Sequence, residues 1–170
     1  KIKRVMGSGH KIGKKTKNNP NHHQSYRLQI GGKEIFNDLV KLGFTVNKSK
    51  TVSLPNIPKK YFANYLRGYF DGDGCVSYSN YFRKQRNKHY KYIIVMFACA
   101  SKKFLEQLSN KIEKQFNIKT HKVVQRKCCY LSYLSNNAVQ LLKCMYNQPE
   151  IFMNRKFVKT NKALKFYMDR

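Results

Sequence analysis

The chain has 170 residues, of which 35 are Lys or Arg and eight are Asp or Glu, so its formal net charge at pH 7 is +27. Because 41% of the residues are hydrophobic and 14% are aromatic, the chain can build a core, which excludes a disordered basic tail. The charge attracts polyanions, so nucleic acid is the expected partner, ahead of a merely solvated basic surface or a membrane surface. No apolar stretch approaches the roughly 20 residues of a membrane span, and no secretory signal is recognisable.

The first part of the chain predicts short strands and one helix. Lys1–Met6 is a possible short strand, and Tyr26–Ile30 alternates apolar and polar residues like a half-exposed strand. Glu34–Leu42 has apolar residues at helical spacing, and Gly43 ends the predicted helix.

A stiff linker, Leu54–Pro58, precedes the next predicted helix, which runs from about Lys59 to Asp71. Two strand-like segments follow, Cys75–Phe82 and Tyr92–Ala100. Between them lies Arg83–Lys91, which is predicted to be a highly charged hairpin loop.

Ser101 is predicted to cap a helix that ends near Phe116 and has one apolar stripe. Strands are predicted near His121–Arg126 and Tyr130–Leu134, and a further helix from about Asn136 to Tyr146. There is also a weak internal repeat. In the first part, a strand that begins at Tyr26 is followed by a helix and then by Lys48. In the second part, a strand that begins at Tyr130 is followed by a helix and then by Lys156.

The five cysteines predict no zinc site. None of them forms a C-x-x-C pair and their number is odd, so they are interpreted as reduced packing residues. They are Cys75, Cys99, Cys128, Cys129 and Cys144.

The chemistry is concentrated in Leu66–Gly74, which reads LRGYFDGDG. Asp71 and Asp73 fall at the C-terminal end of the predicted helix, where unpaired backbone carbonyls gather and the helix dipole is negative. Carboxylates and carbonyl oxygens together suit Mg²⁺ or another hard divalent cation. Gly68 and Gly72, four residues apart, leave a bare strip on which a second helix could pack closely.

Asp-Gly-Asp-Gly also has other interpretations. A plain turn remains open on the residues alone. An EF-hand loop is excluded, because its sixth and twelfth positions would be Val76 and Phe82 instead of Gly and Glu. A nucleotide-binding glycine loop is excluded too, since no Lys-Ser/Thr follows and the helix precedes the strand.

The segment Leu66–Gly74 resembles the signature of the LAGLIDADG homing endonucleases, and the segments Asn56–Pro58, Ser101–Leu105 and Asn154–Phe157 are similar to that family as well. The resemblance implies an α+β fold, a helix–strand–strand–helix–strand–strand–helix unit whose curved antiparallel sheet lies in the major groove of DNA. It implies that residues 58–170 are one complete unit and that residues 53–57 are a linker. Residues 1–52 would then be the C-terminal part of a first unit, whose own signature helix is absent from this sequence.

The resemblance also implies site roles. Asp73 and Gly72 would bind Mg²⁺ (or Mn²⁺), and Lys156 and its first-unit counterpart Lys48 would assist at the cleaved phosphate. Gly68 and Gly72 would form the interface with a second LAGLIDADG unit, supplied by the missing N-terminal part or by another chain. Contacts to double-stranded DNA are expected from the hairpin and a later strand, namely from Arg83, Arg86, Lys88, Lys91, Gln125 and Arg126.

Three functional hypotheses follow. The first is a site-specific, metal-dependent double-strand DNA endonuclease, encoded in an intron or intein. The second is a non-cleaving nucleic-acid binder on the same fold, such as an intron RNA maturase or a transcription regulator. The third is a fragment that works only when paired with a second unit. The expected location is intracellular, in a bacterium, a phage-infected cell or an organelle.

Overall fold

The computed structural model describes residues 2–17, 19–21, 23–44, 51–119, 123–125 and 127–169. The chain divides into two compact units, Lys1–Lys41 and Leu42–Arg170. Among the described residues, no helix combines the length and the apolar character needed to cross a membrane.

The first unit contains helix α1 (Ile2–Val5), strands β1 (Ile12–Lys14) and β2 (Tyr26–Leu28), and helix α2 (Lys33–Lys41). The two strands pair antiparallel. The prediction of a strand at Lys1–Met6 was wrong, because Ile2–Val5 forms a helical turn that Gly7 ends with a φ of 57°. The apolar face of α2 stays exposed at Phe36, Leu39 and Val40.

The second unit contains the remaining elements. They are a 3-10 turn at Lys59–Tyr61, α3 (Phe62–Asp73), β3 (Cys75–Arg83), β4 (Lys88–Cys99), α4 (Lys102–Phe116), β5 (Val124–Gln125), β6 (Cys129–Leu134), α5 (Ser135–Met145) and α6 (Asn154–Met168). The predicted helix–strand–strand–helix–strand–strand–helix order is confirmed by α3 to α5, and α6 is an additional helix.

The four strands that the structure describes in this unit form one antiparallel sheet in the order β3-β4-β6-β5. The predicted loop at 83–91 is mostly strand, because Arg83 pairs with Lys88 and the pairing continues inward from there. Only residues 84–87 form the turn, which Asn87 closes with a left-handed φ of 44°. The hairpin is therefore a two-stranded arm with a short tip.

One face of the sheet is covered by helices. Alternate residues of the strands point into the core, for example Val76, Val95 and Tyr133, which are paired across β3, β4 and β6. Rings from the helices pack on this face, with Phe70 of α3 5.9 Å from Phe97 and Phe166 of α6 5.1 Å from Tyr78. The opposite residues of each strand form the other side of the sheet, which we call the open face.

The helix α4 begins as predicted. The hydroxyl oxygen of Ser101 accepts a hydrogen bond from the backbone N–H of Phe104 and donates one to the carbonyl of Val52. The cap therefore starts the helix and also ties it to the segment that precedes α3.

Candidate active site and nucleic-acid interface

Helix α3 ends at Asp73, which is exposed, whereas Asp71 is buried. The end is abrupt because Gly74 continues in extended conformation, with φ −80° and ψ 165°. A Cβ atom at position 74 would collide with Phe70, whose carbonyl oxygen would lie only 2.7 Å away. The last glycine of the motif is thus needed for close packing, and Asp73 is the acid that the motif presents to solvent.

The buried Asp71 has a different task. One of its carboxylate oxygens accepts a hydrogen bond from the Tyr146 hydroxyl at 2.5 Å, and the other accepts one from the Met153 backbone N–H at 2.8 Å. Burial, together with the neighbouring Asp71 carboxylate, raises the pKa of Tyr146 well above its ordinary value, so its hydroxyl stays protonated as a donor. Asp71 therefore joins α3 to the end of α5 and the start of α6.

Lys156, in the first turn of α6, reaches the same end of α3. Its Nζ donates a hydrogen bond to the carbonyl of Gly74 and lies 5.2 Å from the ring centre of Phe70. Burial, and to a lesser degree the charge of Arg155, lowers the pKa of Lys156 below its ordinary value. The fold thus brings the predicted lysine to the residue that directly follows Asp73.

The donor atoms at this helix end fit a hard divalent cation. The Asp73 carboxylate is exposed, and Gly72 lies in the last turn of α3, whose carbonyl groups extend beyond the helix end. Within the described parts of the chain, no group of three or more His, Cys, Asp or Glu side chains could hold a metal ion. These residues would therefore supply only part of a coordination sphere.

Two predicted site residues, Lys48 and Arg126, lie outside the described residues. Their proposed roles in catalysis and DNA contact stay predictions.

The open face of the sheet is rich in hydroxyl and cationic side chains. Strand alternation and pairing place the following residues on it: Ser77, Ser79, Tyr81 and Arg83 of β3, Lys88, Tyr90 and Tyr92 of β4, and Tyr130 and Ser132 of β6. Such side chains can contact base edges and phosphates of a duplex.

Three tyrosines on the open face were missed by the sequence analysis. The ring of Tyr81 stacks on Tyr90 at 5.7 Å and meets Tyr92 edge-on at 6.0 Å. The Arg83 guanidinium lies 5.6 Å from the centre of the Tyr90 ring. In this cluster Arg83 packs against an aromatic ring that is itself in contact with another tyrosine. The alternation of Tyr90 and Tyr92 in the sequence was the available signal.

The other predicted DNA contacts divide between the two faces. Lys88 lies opposite Arg83, and Arg86 is exposed at the hairpin tip. Lys91 instead lies on the helix-covered side, where its Nζ donates to the backbone carbonyl of Asp169 and lies 5.0 Å from the Phe166 ring centre. Gln125 pairs with the buried Cys129 and so shares that side, although its side chain is exposed.

The predicted interface glycines are both accessible. Gly68 and Gly72 lie on one face of α3, and a Cβ atom at either position would meet no atom within 4 Å. Tyr61, seven residues before Gly68 and so about two helical turns further toward the N-terminus, is 52% exposed. This face of α3 has room for another helix to approach closely.

Comparisons with known proteins agree with this fold. Residues 60–142 match the model of a family described as LAGLIDADG-like domain. Among solved structures, the homing endonuclease I-CvuI in complex with its target in the presence of calcium is 14% identical, covers 64% of this chain and 67% of its own, and has a TM-score of 0.50. The homing endonuclease I-TnaI is 13% identical, with 62% and 71% covered and a TM-score of 0.50. A search of curated proteins finds no match. At such identities the structural likeness shows the fold.

Proposed function

We propose that this chain, of which residues 60–142 match the model of a LAGLIDADG-like domain, is a site-specific endonuclease that hydrolyses phosphodiester bonds of double-stranded DNA with divalent metal ions. The observation that carries the proposal is the meeting of an exposed acid and a buried lysine at one helix end. Asp73 is the last residue of α3, and Lys156 donates to Gly74, 82 residues earlier in the chain. The relative I-CvuI was crystallised with its DNA target.

DNA binding is proposed for the open face. β3 has nine residues, so at about 3.4 Å per residue Arg83 lies about 27 Å along the strand from Cys75, two residues after Asp73. Duplex DNA rises about 3.4 Å per base pair, so this length corresponds to about eight base pairs. The hairpin cluster would therefore read bases about eight pairs from the phosphate that is cut.

Cleavage is proposed for the end of α3. Asp73 and the Gly72 carbonyl would hold the divalent cation, which when bound supplies charge stabilisation and a more acidic water. The Lys156 ammonium has three N–H donors, of which one is used by Gly74, so two remain for the phosphate or a bound water. There it would stabilise the negative charge that builds on the phosphate and the leaving oxygen.

A second unit is part of the proposal. The donors of one helix end are too few for a complete metal site in the described chain, and the bare Gly68–Gly72 face would let a second signature helix bring its own acid alongside. We propose that the partner is another LAGLIDADG unit. Residues 1–52 would be the C-terminal part of such a unit, residues 53–57 a linker and residues 58–170 the complete second unit.

The second candidate function is a nucleic-acid binder that does not cut. The observation that favours it is the small number of acidic ligands in the described chain, since the open face could bind DNA or structured RNA without them. The charge of +27 serves both functions equally.

The two candidates are separated by selecting targets. The chain is incubated with a library of duplex DNA over a wide range of protein concentrations, so that paired units are sampled, first with Ca²⁺ and then with Mg²⁺ or Mn²⁺. Enrichment of a common sequence in Ca²⁺ and double-strand cuts within it in Mg²⁺ or Mn²⁺ support the endonuclease. Enrichment without cuts at any concentration contradicts it and supports the binder.

A further inference from the structure

The segment between α5 and α6 is attached to α3 by two side chains, Arg67 and Asp71. The Arg67 guanidinium donates to the carbonyl of Met145 and to that of Ile151, both at 2.8 Å. Asp71 accepts from the Tyr146 hydroxyl and from the backbone N–H of Met153. Four hydrogen bonds from two residues of α3 therefore hold both ends of this connection.

The two residues form a buried set of opposite charges on one face of α3. They are four positions apart, and the exposed fractions of Arg67 and Asp71 are 6% and 8%. Burying charges is costly unless they are paired and hydrogen-bonded, and apolar residues of similar size would pack this face at less cost. What the charged groups add is direction, because each hydrogen bond requires a defined position of its backbone or hydroxyl partner.

The defined positions of these partners matter because Lys156 lies only three residues after Met153. α6 begins at Asn154, directly after Met153, and the backbone N–H of Lys156 donates to the Met153 carbonyl at 3.0 Å. Asp71 fixes Met153, Met153 starts the turn that carries Lys156, and Lys156 returns to Gly74. The end of α3 and the start of α6 thus form a closed ring of contacts, and the backbone from Asp71 to Gly74, which includes Asp73, is part of that ring.

We propose that Arg67 and Asp71 are positioning residues, which hold the Lys156 ammonium at the end of α3 by setting the path of the α5–α6 connection. The inference rests on the proposed function for the use of Lys156 in cleavage, but the position of the ammonium can be measured separately. It also assigns the two acids of the motif different tasks. Both oxygens of Asp71 are engaged by protein donors, whereas Asp73 is left for the metal and the DNA.

The test measures the protection of Lys156 directly. Reductive methylation with formaldehyde and cyanoborohydride, followed by mass spectrometry, gives the rate at Lys156 relative to the exposed Lys159 of the same helix. In the parent chain we expect Lys156 to react at least about tenfold more slowly than Lys159, because its nitrogen must first leave Gly74. In Asp71→Leu, which removes both acceptors, we expect the ratio to rise about fivefold or more.

Two further variants separate positioning from general stabilisation. Asp71→Asn keeps an oxygen for the Met153 N–H and offers its amide to the Tyr146 hydroxyl oxygen, so it should restore most of the protection. Ile112→Val lowers the unfolding midpoint through the core of α4 and should leave the ratio as in the parent. If Asp71→Leu does not fold, Tyr146→Phe takes its place with an expected rise of about twofold, since one of the two bonds to Asp71 is lost.

The results decide as follows. A ratio that rises in Asp71→Leu or Tyr146→Phe, stays low in Ile112→Val and recovers in Asp71→Asn supports the proposal. A ratio that stays at the parent value in both Asp71→Leu and Tyr146→Phe overturns it, and so does a ratio that rises equally in Ile112→Val. Because methylation needs no DNA, the absence of cleavage would remove the proposed function and leave this result standing.

Discussion

The Lys156 ammonium donates a hydrogen bond to the carbonyl oxygen of Gly74, although 82 residues separate the two. Gly74 directly follows Asp73, the last residue of α3, and only glycine fits there against Phe70. The contact therefore connects the LAGLIDADG-like motif to the last helix of the chain. It places a cation one residue beyond the exposed acid on which we base the proposed chemistry.

Replacing Lys156 should impair cleavage more than binding. In Lys156→Gln the side chain can still bond to Gly74 but loses its charge, so we expect the single-turnover cleavage rate to fall by about 100-fold, as for other lost transition-state donors. The DNA dissociation constant should change little, because a single buried cation adds little to a field of this strength. The control is Lys159→Gln, an exposed lysine of the same helix. Equal losses in the two variants would mean that Lys156 acts only through overall charge.

Replacing Arg83 should weaken DNA binding, and replacing Lys91 should not. Each change to alanine removes one positive charge from the same hairpin, but Arg83 lies on the open face and Lys91 binds Asp169 on the helix-covered side. For Arg83→Ala we expect a loss of about 1–3 kcal/mol and relaxed sequence preference about eight base pairs from the cut. Fluorescence anisotropy with variant duplexes measures both. A larger loss of binding for Lys91→Ala than for Arg83→Ala would contradict the proposal that DNA binds to the open face.

Gly68→Ala should have opposite effects on the folding of this chain and on its pairing. Gly68 is in the interior of α3 with open space around it, so alanine should raise the free energy of unfolding by about 0.5–1 kcal/mol through its higher helix propensity. The added methyl groups should hinder close approach of a second helix. Urea titration measures the first effect, and native mass spectrometry of the DNA complex counts units for the second. A stabilised variant that pairs as before would exclude this face as the interface.

The chain should lose stability above pH 10, and Tyr65 should account for part of the loss. Burial, with a smaller contribution from Cys99, raises the pKa of Tyr65 from 10.0 to about 12. Between these values the phenol ionises in the unfolded chain but stays neutral in the folded one, so rising pH favours unfolding. Urea titrations from pH 9 to about 11.5 should therefore show a shallower decline for Tyr65→Phe than for the parent. The exposed Tyr61→Phe is the control and should follow the parent curve.

Much of the second unit could be predicted from local pattern. The motif, the Ser101 cap and the alternation of strands are all read from neighbouring residues, and the structure has those elements in the predicted order. α6 was missed although its buried residues Lys156, Thr160, Ala163 and Tyr167 follow helical spacing, because two of them are polar. The charged hairpin was interpreted as a loop, since strand arms that point into solvent lack the apolar residues on which strand prediction depends.

The site was harder to predict than the fold. Charge alone could not tell that Lys91 lies on the covered side, because the side depends on the register set from Ile93 onward. The partners of Asp71 lie 75 and 82 residues away, so only the folded chain shows that this acid is occupied. The family resemblance did identify Lys156 and Asp73, whose roles in cleavage stay predictions until the variants are measured.

The central claim is metal-dependent cleavage through Asp73, and one measurement tests it most directly. Parent chain and Asp73→Asn are compared on a selected duplex, with the dissociation constant measured in Ca²⁺ and the single-turnover cleavage rate in Mg²⁺ and Mn²⁺. We expect Asp73→Asn to bind within about twofold of the parent, since one neutralised acid on a strongly basic protein does not weaken attraction to DNA. We expect its cleavage to be at least about 100-fold slower. Cleavage by Asp73→Asn at the parental rate, or a parent chain that binds its duplex and never cuts it, would contradict the account.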